Sequence, residues 1–217
     1  MAGTADEAAT LVVPAQRTEP RTGSVAVVGP LQVAPCRSVD DVAEVFGTRG
    51  DAAHCWCAFD RLPDAQFDVL TPDEGRDLLA LELAAPGPAP GLVATLGGRP
   101  VGWCSVAPRS RFPRLASRRT TSSPRTAADD PDVWSVTCFV VRPGFRRRGI
   151  AAALLDTAVG YARSHGAGWL EGYPSDNTGR RPAAADLYRG TLSLFTAAGF
   201  EVVAQPWPGR AIVRLEL

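Results

Sequence analysis

The sequence predicts one α/β domain built on a mixed β-sheet, and three observations point there. β-rich runs alternate with segments that open on helix-capping residues, the pattern of a sheet covered by helices. A hairpin is legible in Gly91 to Leu96, the Gly97-Gly98 turn and Pro100 to Val106. The β-rich run Val133 to Val141 passes through a short Arg/Gly turn into a strongly helical stretch. At 217 residues the chain suits one domain plus appendages and can bury a substantial core.

Residues 1–23 mix Ala, Thr, Arg and Pro without periodicity and are expected to form a flexible leader, leaving 24–217 as the domain. Val25 to Val33 is β-rich. Ser38-Val39-Asp40-Asp41 has capping-box spacing and predicts a helix through Val45-Phe46. Thr71-Pro72-Asp73-Glu74 repeats the signal with proline in the first turn, and Leu78, Leu79 and Leu81 are the expected apolar stripe. After the hairpin, residues 109–132 are rich in Arg, Ser, Thr and Pro and too long for an ordinary connection, so a partly ordered lid is expected. Trp169 to Tyr173 reads as a strand, Asp186 to Ala198 as a helix, and Phe200 to Gln205 and Ala211 to Leu217 as the last two strands.

Hydrophobic residues make up 45% of the chain and the formal net charge is zero, so bulk electrostatics provide for no nucleic-acid or membrane partner. No apolar run approaches the roughly 20 residues that span a bilayer, and Ala2 to Thr10 lack a secretory pattern; a cytoplasmic protein is expected. Five cysteines, an odd number, fit reduced thiols better than a disulfide framework. Cys55-Trp56-Cys57 has no second paired unit to complete a four-ligand zinc site, so no metal is expected.

The most informative stretch is Arg146-Arg147-Arg148-Gly149-Ile150-Ala151, at a strand-to-helix junction. The first N–H groups of a helix lack partners inside it and face a positive macrodipole, so main chain alone can hold a pyrophosphate there. Gly149 lets a phosphate approach without meeting a side chain, and the arginines suit an anion. Ile150, Leu154, Leu155, Ala158 and Ala162 recur at helical spacing and anchor the turn.

Arg146-x-x-Gly149-x-Ala151 resembles the acetyl-CoA signature of the GCN5-related N-acetyltransferases (GNAT), Arg/Gln-x-x-Gly-x-Gly/Ala. VWSVTCFVV before it looks like that family's fourth strand, and Leu194 to Phe200 looks like its closing Leu-Tyr-x-x-x-Gly-Phe segment. His54-Cys55-Trp56-Cys57, Gly102-Trp103, Ala107-Pro108-Arg109, Trp134-Ser135-Val136 and Glu171-Gly172-Tyr173-Pro174 further resemble an uncharacterised bacterial subgroup. The resemblance implies a central sheet of six to seven strands flanked by about four helices, and acetyl-CoA as acyl donor. It implies the pantetheine arm on the backbone of Phe139, Val140 and Val141, and the pyrophosphate on Arg146, Arg147, Arg148, Gly149, Ile150, Ala151 and Ala152. The acceptor it implies is an amine; nothing in the sequence marks a docking groove for a peptide, so the amine of a small molecule is expected, on a monomer or homodimer. Acetylation of a protein lysine or N-terminus, and a CoA-binding regulatory module without catalysis, are the rival readings.

The family's usual catalytic pair is missing. Its frequent glutamate falls on Ser135, which is no base at neutral pH without help. Its frequent tyrosine falls on Phe195. Tyr188, about two helical turns earlier if one helix runs through both, is the candidate acid, with Tyr173 second. His54 and Asp132 are candidate bases acting through water, Asp132 also as an acceptor-binding residue, and Trp56 and Trp103 are candidate walls of an acceptor pocket. His165, before Gly166, is read as a helix C-terminal cap. The arginines of the lid are either solvated or ready for an anion.

Overall fold

The computed structural model describes residues 11–13, 29–117, 121, 130–176 and 184–217. In chain order the elements are β1 (Leu11–Val13), β2 (Leu31–Pro35), α1 (Val39–Phe46), α2 (Asp51–Cys55), α3 (Asp64–Phe67), α4 (Pro72–Ala84), β3 (Gly91–Leu96) and β4 (Arg99–Pro108). A 3₁₀ turn (Arg109–Arg111), α5 (Pro113–Ser117), β5 (Val133–Val141), α6 (Ile150–Ser164), β6 (Trp169–Gly172), a second 3₁₀ turn (Ala184–Arg189), α7 (Leu192–Ala197), β7 (Glu201–Trp207) and β8 (Arg210–Glu216) follow.

The strands form one sheet in the order β1-β2-β3-β4-β5-β6-β8-β7. Only β5 and β6 are parallel, as a strand–α6–strand crossover requires; the other pairs are antiparallel. Without the three-residue β1 the sheet has seven strands, the upper end of the expectation. The helical segments are shorter and more numerous than the expected four. β1 lies inside the stretch expected to be a flexible leader; the rest of that stretch lies outside the described residues.

Local chemistry explains the ends of the helices. The Ser38 hydroxyl accepts from the Asp41 N–H at 3.1 Å and caps α1. Thr71 and Glu74 complete a reciprocal capping box at α4, with Pro72 in its first turn. The stripe of α4 is corrected: Leu79 and Leu83, with Gly75, face the core at a spacing of four, while Leu81 is 70% exposed and Leu78 also faces water. The expected helix Asp186 to Ala198 is two elements. The chain breaks at Gly190 (φ 77°), and the Thr191 hydroxyl accepts from the Leu194 N–H to start α7 afresh.

One face of the sheet packs on α6 and α7 through Leu92, Cys104, Val136, Phe139, Leu154, Leu155, Tyr161 and Phe195, among others. Each large aliphatic buried here contributes about 1.5–3 kcal/mol. The opposite face packs on α1, α2 and α4 around Trp103, Phe46 and Trp56, and farther along on the start of the lid through Phe112, Leu115 and Tyr173. Among the described residues no helix is long and apolar enough to cross a membrane.

Candidate active site

β5 organises the site through one extra residue. Its ladder with β4 pairs Cys138 with Ser105 but Val136 with Val106, so Thr137 is bulged out. The bulge resets the alternation of side chains. Trp134, Val136 and Phe139 face α6, whereas Cys138 and Val140 join the α1/α2/α4 side. Beyond Val136 and Gly172 the parallel strands β5 and β6 part. Among the described residues no strand pairs with β5 on that side from Thr137 to Val141, which leaves a backbone edge able to receive an extended ligand.

That edge leads into the Arg/Gly turn. Gly149 is the N-cap of α6 at φ 76°, ψ 0°, with no side-chain cap, and a Cβ there would meet nothing within 4 Å. The space in front of the first turn is open, so Ile150, Ala151 and Ala152 can offer their N–H groups outward. Arg146, Arg147 and Arg148 are exposed around the turn. Arg147 itself sits at φ 61°, and Arg146 Nε donates to the Val141 carbonyl at 3.1 Å, which ties the turn to the end of β5. The residues present therefore fit a phosphate-bearing chain laid from the turn along Val141, Val140 and Phe139.

Where the strands part, on the face away from α6, a buried polar chain begins. The Ser135 Oγ lies 3.1 Å from the Tyr173 OH, and the Tyr173 OH donates to Glu171 Oε2 at 2.9 Å. Ser135 and Glu171 are register partners on β5 and β6, and Arg214 is Glu171's partner on β8. Arg214 Nε donates to Glu171 Oε1 at 3.1 Å, and Arg109 Nε stands 3.5 Å from Glu171 Oε2. All five residues are buried. Burial, reinforced by the neighbouring Glu171 carboxylate, pushes the Tyr173 hydroxyl far above the ordinary tyrosine range, so it stays a proton donor.

A second buried pair lies beside that chain and joins it to the segment after α2. Arg189 Nη2 meets Asp60 Oδ1 at 2.6 Å, and Arg189 Nε donates to the Tyr188 OH at 2.9 Å. The Arg189 guanidinium lies 5.8 Å from the centre of the Tyr173 ring, which links the two clusters. Desolvation raises the Tyr188 pKa as well.

The model of the Acetyltransferase (GNAT) family matches residues 56–187, more than half of the chain. The chain belongs to the GNAT acetyltransferase family. It is thus an N-acetyltransferase with acetyl-CoA as its acyl donor. Solved structures agree on the fold. An N-acetyltransferase from Staphylococcus aureus Mu50 is 15% identical, with a TM-score of 0.53, over 86% of this chain and 98% of that one. YncA, a putative acetyltransferase from Salmonella typhimurium solved with acetyl-CoA, is 15% identical with a TM-score of 0.51 over 86% and 94%. The PaiA N-acetyltransferase from Thermoplasma acidophilum, in complex with coenzyme A, is 12% identical with a TM-score of 0.51 over 86% and 99%. No curated protein matches the chain.

The GNAT frame sorts the sequence candidates. Ser135 and Tyr173 come together in one hydrogen-bonded chain, and the cradle residues line one turn. Tyr188 remains beside the site, but for a reason other than the expected one: it belongs to a 3₁₀ turn, held by Arg189, not to a helix shared with Phe195. His54 is exposed on α2. Asp132 is exposed and lies before β5, five residues from the bulge, roughly 16 Å along the strand. Its carbonyl accepts from the Gly168 and Trp169 N–H groups, a structural role at the far end of the sheet. Trp103 is wholly enclosed, so it supports a pocket from beneath instead of lining it. Trp56 does line a cavity, with Arg61, Leu79 and Glu82. His165 caps α6 as expected, its Nδ1 lying 2.8 Å from the Tyr161 carbonyl oxygen.

Two lid arginines are neither solvated nor open to an anion. Arg109 is committed to Glu171, and Arg114 is buried, 3.1 Å from Asp64 and over the Phe59 ring. Residues 118–120 and 122–129 of the expected lid lie outside the described residues. Sequence reasoning passed over Glu171, Asp60 and Arg189 as functional residues. Glu171 was findable: a lone carboxylate inside an apolar strand is costly unless something holds it. Among the described residues no group of three or more His, Cys, Asp or Glu is arranged to hold a metal.

Proposed function

We propose that the protein acetylates the amine of a small molecule by direct attack within a ternary complex. The observation that carries this reading is the chain Ser135 Oγ–Tyr173 OH–Glu171 Oε2, which begins where the free edge of β5 ends. Acetyl-CoA supplies an activated thioester carbonyl, and the protein has to position it and manage protons.

The Gly149 turn and the three arginines hold the pyrophosphate, and Phe139 to Val141 align the pantetheine arm. Because the Tyr173 OH donates to Glu171, the Ser135 hydroxyl donates to Tyr173 and turns its lone pairs toward the acceptor. A proton leaving the acceptor nitrogen passes to Ser135 Oγ as the Ser135 proton moves to Tyr173 and the Tyr173 proton to Glu171 Oε2. Arg109 and Arg214 keep Glu171 in place during that exchange. Tyr188 receives a hydrogen bond from Arg189 Nε on its oxygen, which leaves its own proton free to be given.

The enclosure of this face supports a small acceptor. Asp60–Arg189 and Arg114–Asp64 tie the segment after α2 to the 3₁₀ turn and to the lid, where a protein substrate would need an open groove. Calorimetric titration with acetyl-CoA, followed by thiol release across a library of small amines and peptides, tests the reading. Turnover with small amines supports it. Turnover confined to peptides transfers the assignment to protein acetylation, and binding with no turnover on either set favours a regulatory module.

A further inference from the structure

The cleft that Trp56 lines has a polar end that the proton chain does not use. Gly75, Leu78, Leu79 and Glu82 recur at i, i+3, i+4 and i+7 of α4 and so share one face. Across from them stand Trp56 and Arg61, from the segment that leaves α2, and between the two sides lies a cleft with about 310 Å³ of space, part of it open to solvent. Gly75 makes room for the tryptophan: a Cβ there would lie 3.4 Å from Trp56 Cβ. Leu78, 39% exposed, stands at the rim.

Arg61 and Glu82 are paired there but not satisfied. Arg61 Nη2 donates to the Pro90 carbonyl and to the Ser105 Oγ, each at 3.0 Å, and its guanidinium lies 4.8 Å from the centre of the Phe112 ring. These contacts fix the orientation of a side chain that is only 7% exposed. Nη1 stands 2.5 Å from Glu82 Oε2 as an ion pair. It is off the line of a hydrogen bond, and Arg61 Nε, Arg61 Nη1 and Glu82 Oε2 are all buried without a hydrogen-bond partner among the described residues. Buried polar atoms left in that state are costly, and an occupant that supplies the missing bonds removes the cost. The two charges select the occupant. A bare anion meets Glu82 and a bare cation meets Arg61, whereas a neutral group with an acceptor beside a donor satisfies both.

The cleft also lies close to the proton chain. Ser105, which holds Arg61, is two residues along β4 from Ala107, the register partner of Ser135, a distance of roughly 7 Å. Phe112, under the Arg61 guanidinium, packs in one cluster with Ala107 and Tyr173. We infer that the cleft receives the far end of the acceptor, and that the acceptor carries there a primary carboxamide on a short apolar chain. The carboxamide oxygen accepts from Arg61 Nε and its N–H donates to Glu82 Oε2, while Trp56, Leu78 and Leu79 cover the apolar chain. This specificity rests on the small-molecule reading of the site.

The test first titrates the full-length protein with isovaleramide, isovalerate and isopentylamine by ligand-observed NMR, without acetyl-CoA. The amide should bind about tenfold or more tightly than either charged probe, and Leu78→Trp, which fills the rim, should abolish its binding. No binding of the amide, or equal binding of all three, would overturn the site and leave the cleft to water. Glu82→Gln removes one charge from a partly exposed position, and a cooperative thermal transition checks its fold. It should reverse the order in favour of isovalerate; an unchanged order would overturn the role of the pair. Acetylation is then compared for aminopentanamide, aminopentanoate, diaminopentane and pentylamine. The amide should lead in kcat/KM by about tenfold, and Leu78→Trp should erase that lead. An amide probe that binds while the amines are acetylated without preference would overturn the link to the acceptor. Binding of the probe with no acetylation of any amine counts against the functional reading and supports the carboxamide site alone.

Discussion

Ser135 Oγ and Tyr173 OH lie 3.1 Å apart across the mouth formed by two diverging parallel strands. Ser135 stands where the family's glutamate is expected, and on the proposed reading the carboxylate that serves it is Glu171 on the neighbouring strand, reached through Tyr173. Tyr173→Phe cuts that route while keeping the ring that packs with Ile212 and Phe112. Turnover is expected to fall roughly 100-fold or more, with acetyl-CoA affinity unchanged by calorimetry. Undiminished turnover would reduce Tyr173 to packing.

Tyr188→Phe tests the proposed acid apart from the proposed base. It removes a hydroxyl that accepts from Arg189 but leaves the Asp60–Arg189 pair intact. The maximal rate should drop about 10- to 100-fold, most strongly for weakly basic acceptors, and the KM for acetyl-CoA should hold. An equal loss in the KM of acetyl-CoA would mean that Tyr188 helps hold the donor.

Phe195→Tyr restores the residue common at this position in the family, yet it should not restore an acid. The Phe195 ring is fully buried against Phe139, Phe200 and the Cα of Gly172, where even a Cβ would come within 2.3 Å of it. A hydroxyl added to this buried apolar ring costs about 1–3 kcal/mol when it is left unpaired. Chemical denaturation should show the loss, without a gain in rate.

These residues also show what could be read in advance. The strand-to-helix turn at Gly149 was legible because a strand, a glycine and a helical stripe are all local signals, and the hairpin and both helix caps were local in the same way. The Ser135–Tyr173–Glu171 chain was not, because it depends on the register of β5 with β6 and on a bulge at Thr137 that no spacing rule announces. The Tyr188 expectation assumed a continuous helix and failed at Gly190, where the chain turns and is capped anew by Thr191. The lid arginines looked solvated because sequence alone could not place the carboxylates, Glu171 and Asp64, that hold Arg109 and Arg114 in the interior.

Alkaline pH should destabilise the fold through its buried thiols. Burial lifts Cys36 from the ordinary 9.0 to about 11, so between those values the unfolded chain gives up a proton that the folded chain keeps. The unfolded state then binds fewer protons, and stability falls as pH rises through that window, by about 2–3 kcal/mol for this residue once pH exceeds the folded value. Urea midpoints measured from pH 8 to 11 should decline, and Cys36→Ala should flatten part of the decline. A midpoint independent of pH across that range would refute the assignment.

Gly149→Glu addresses the donor site directly. The position is open, so the new side chain displaces nothing, and the backbone cost of a left-handed glutamate is about 1–3 kcal/mol. Gly149→Asn supplies the control, since asparagine tolerates the same conformation without a charge. If the first turn of α6 receives the pyrophosphate, the glutamate variant should lose acetyl-CoA binding by calorimetry while keeping a cooperative thermal transition close to that of the asparagine variant. The carboxylate would stand at a positive helix end and occupy the place of the incoming phosphate. A folded glutamate variant that binds acetyl-CoA as before would move the cradle elsewhere, and the alignment of β5 with the Ser135 chain would then have to be reconsidered from the other end.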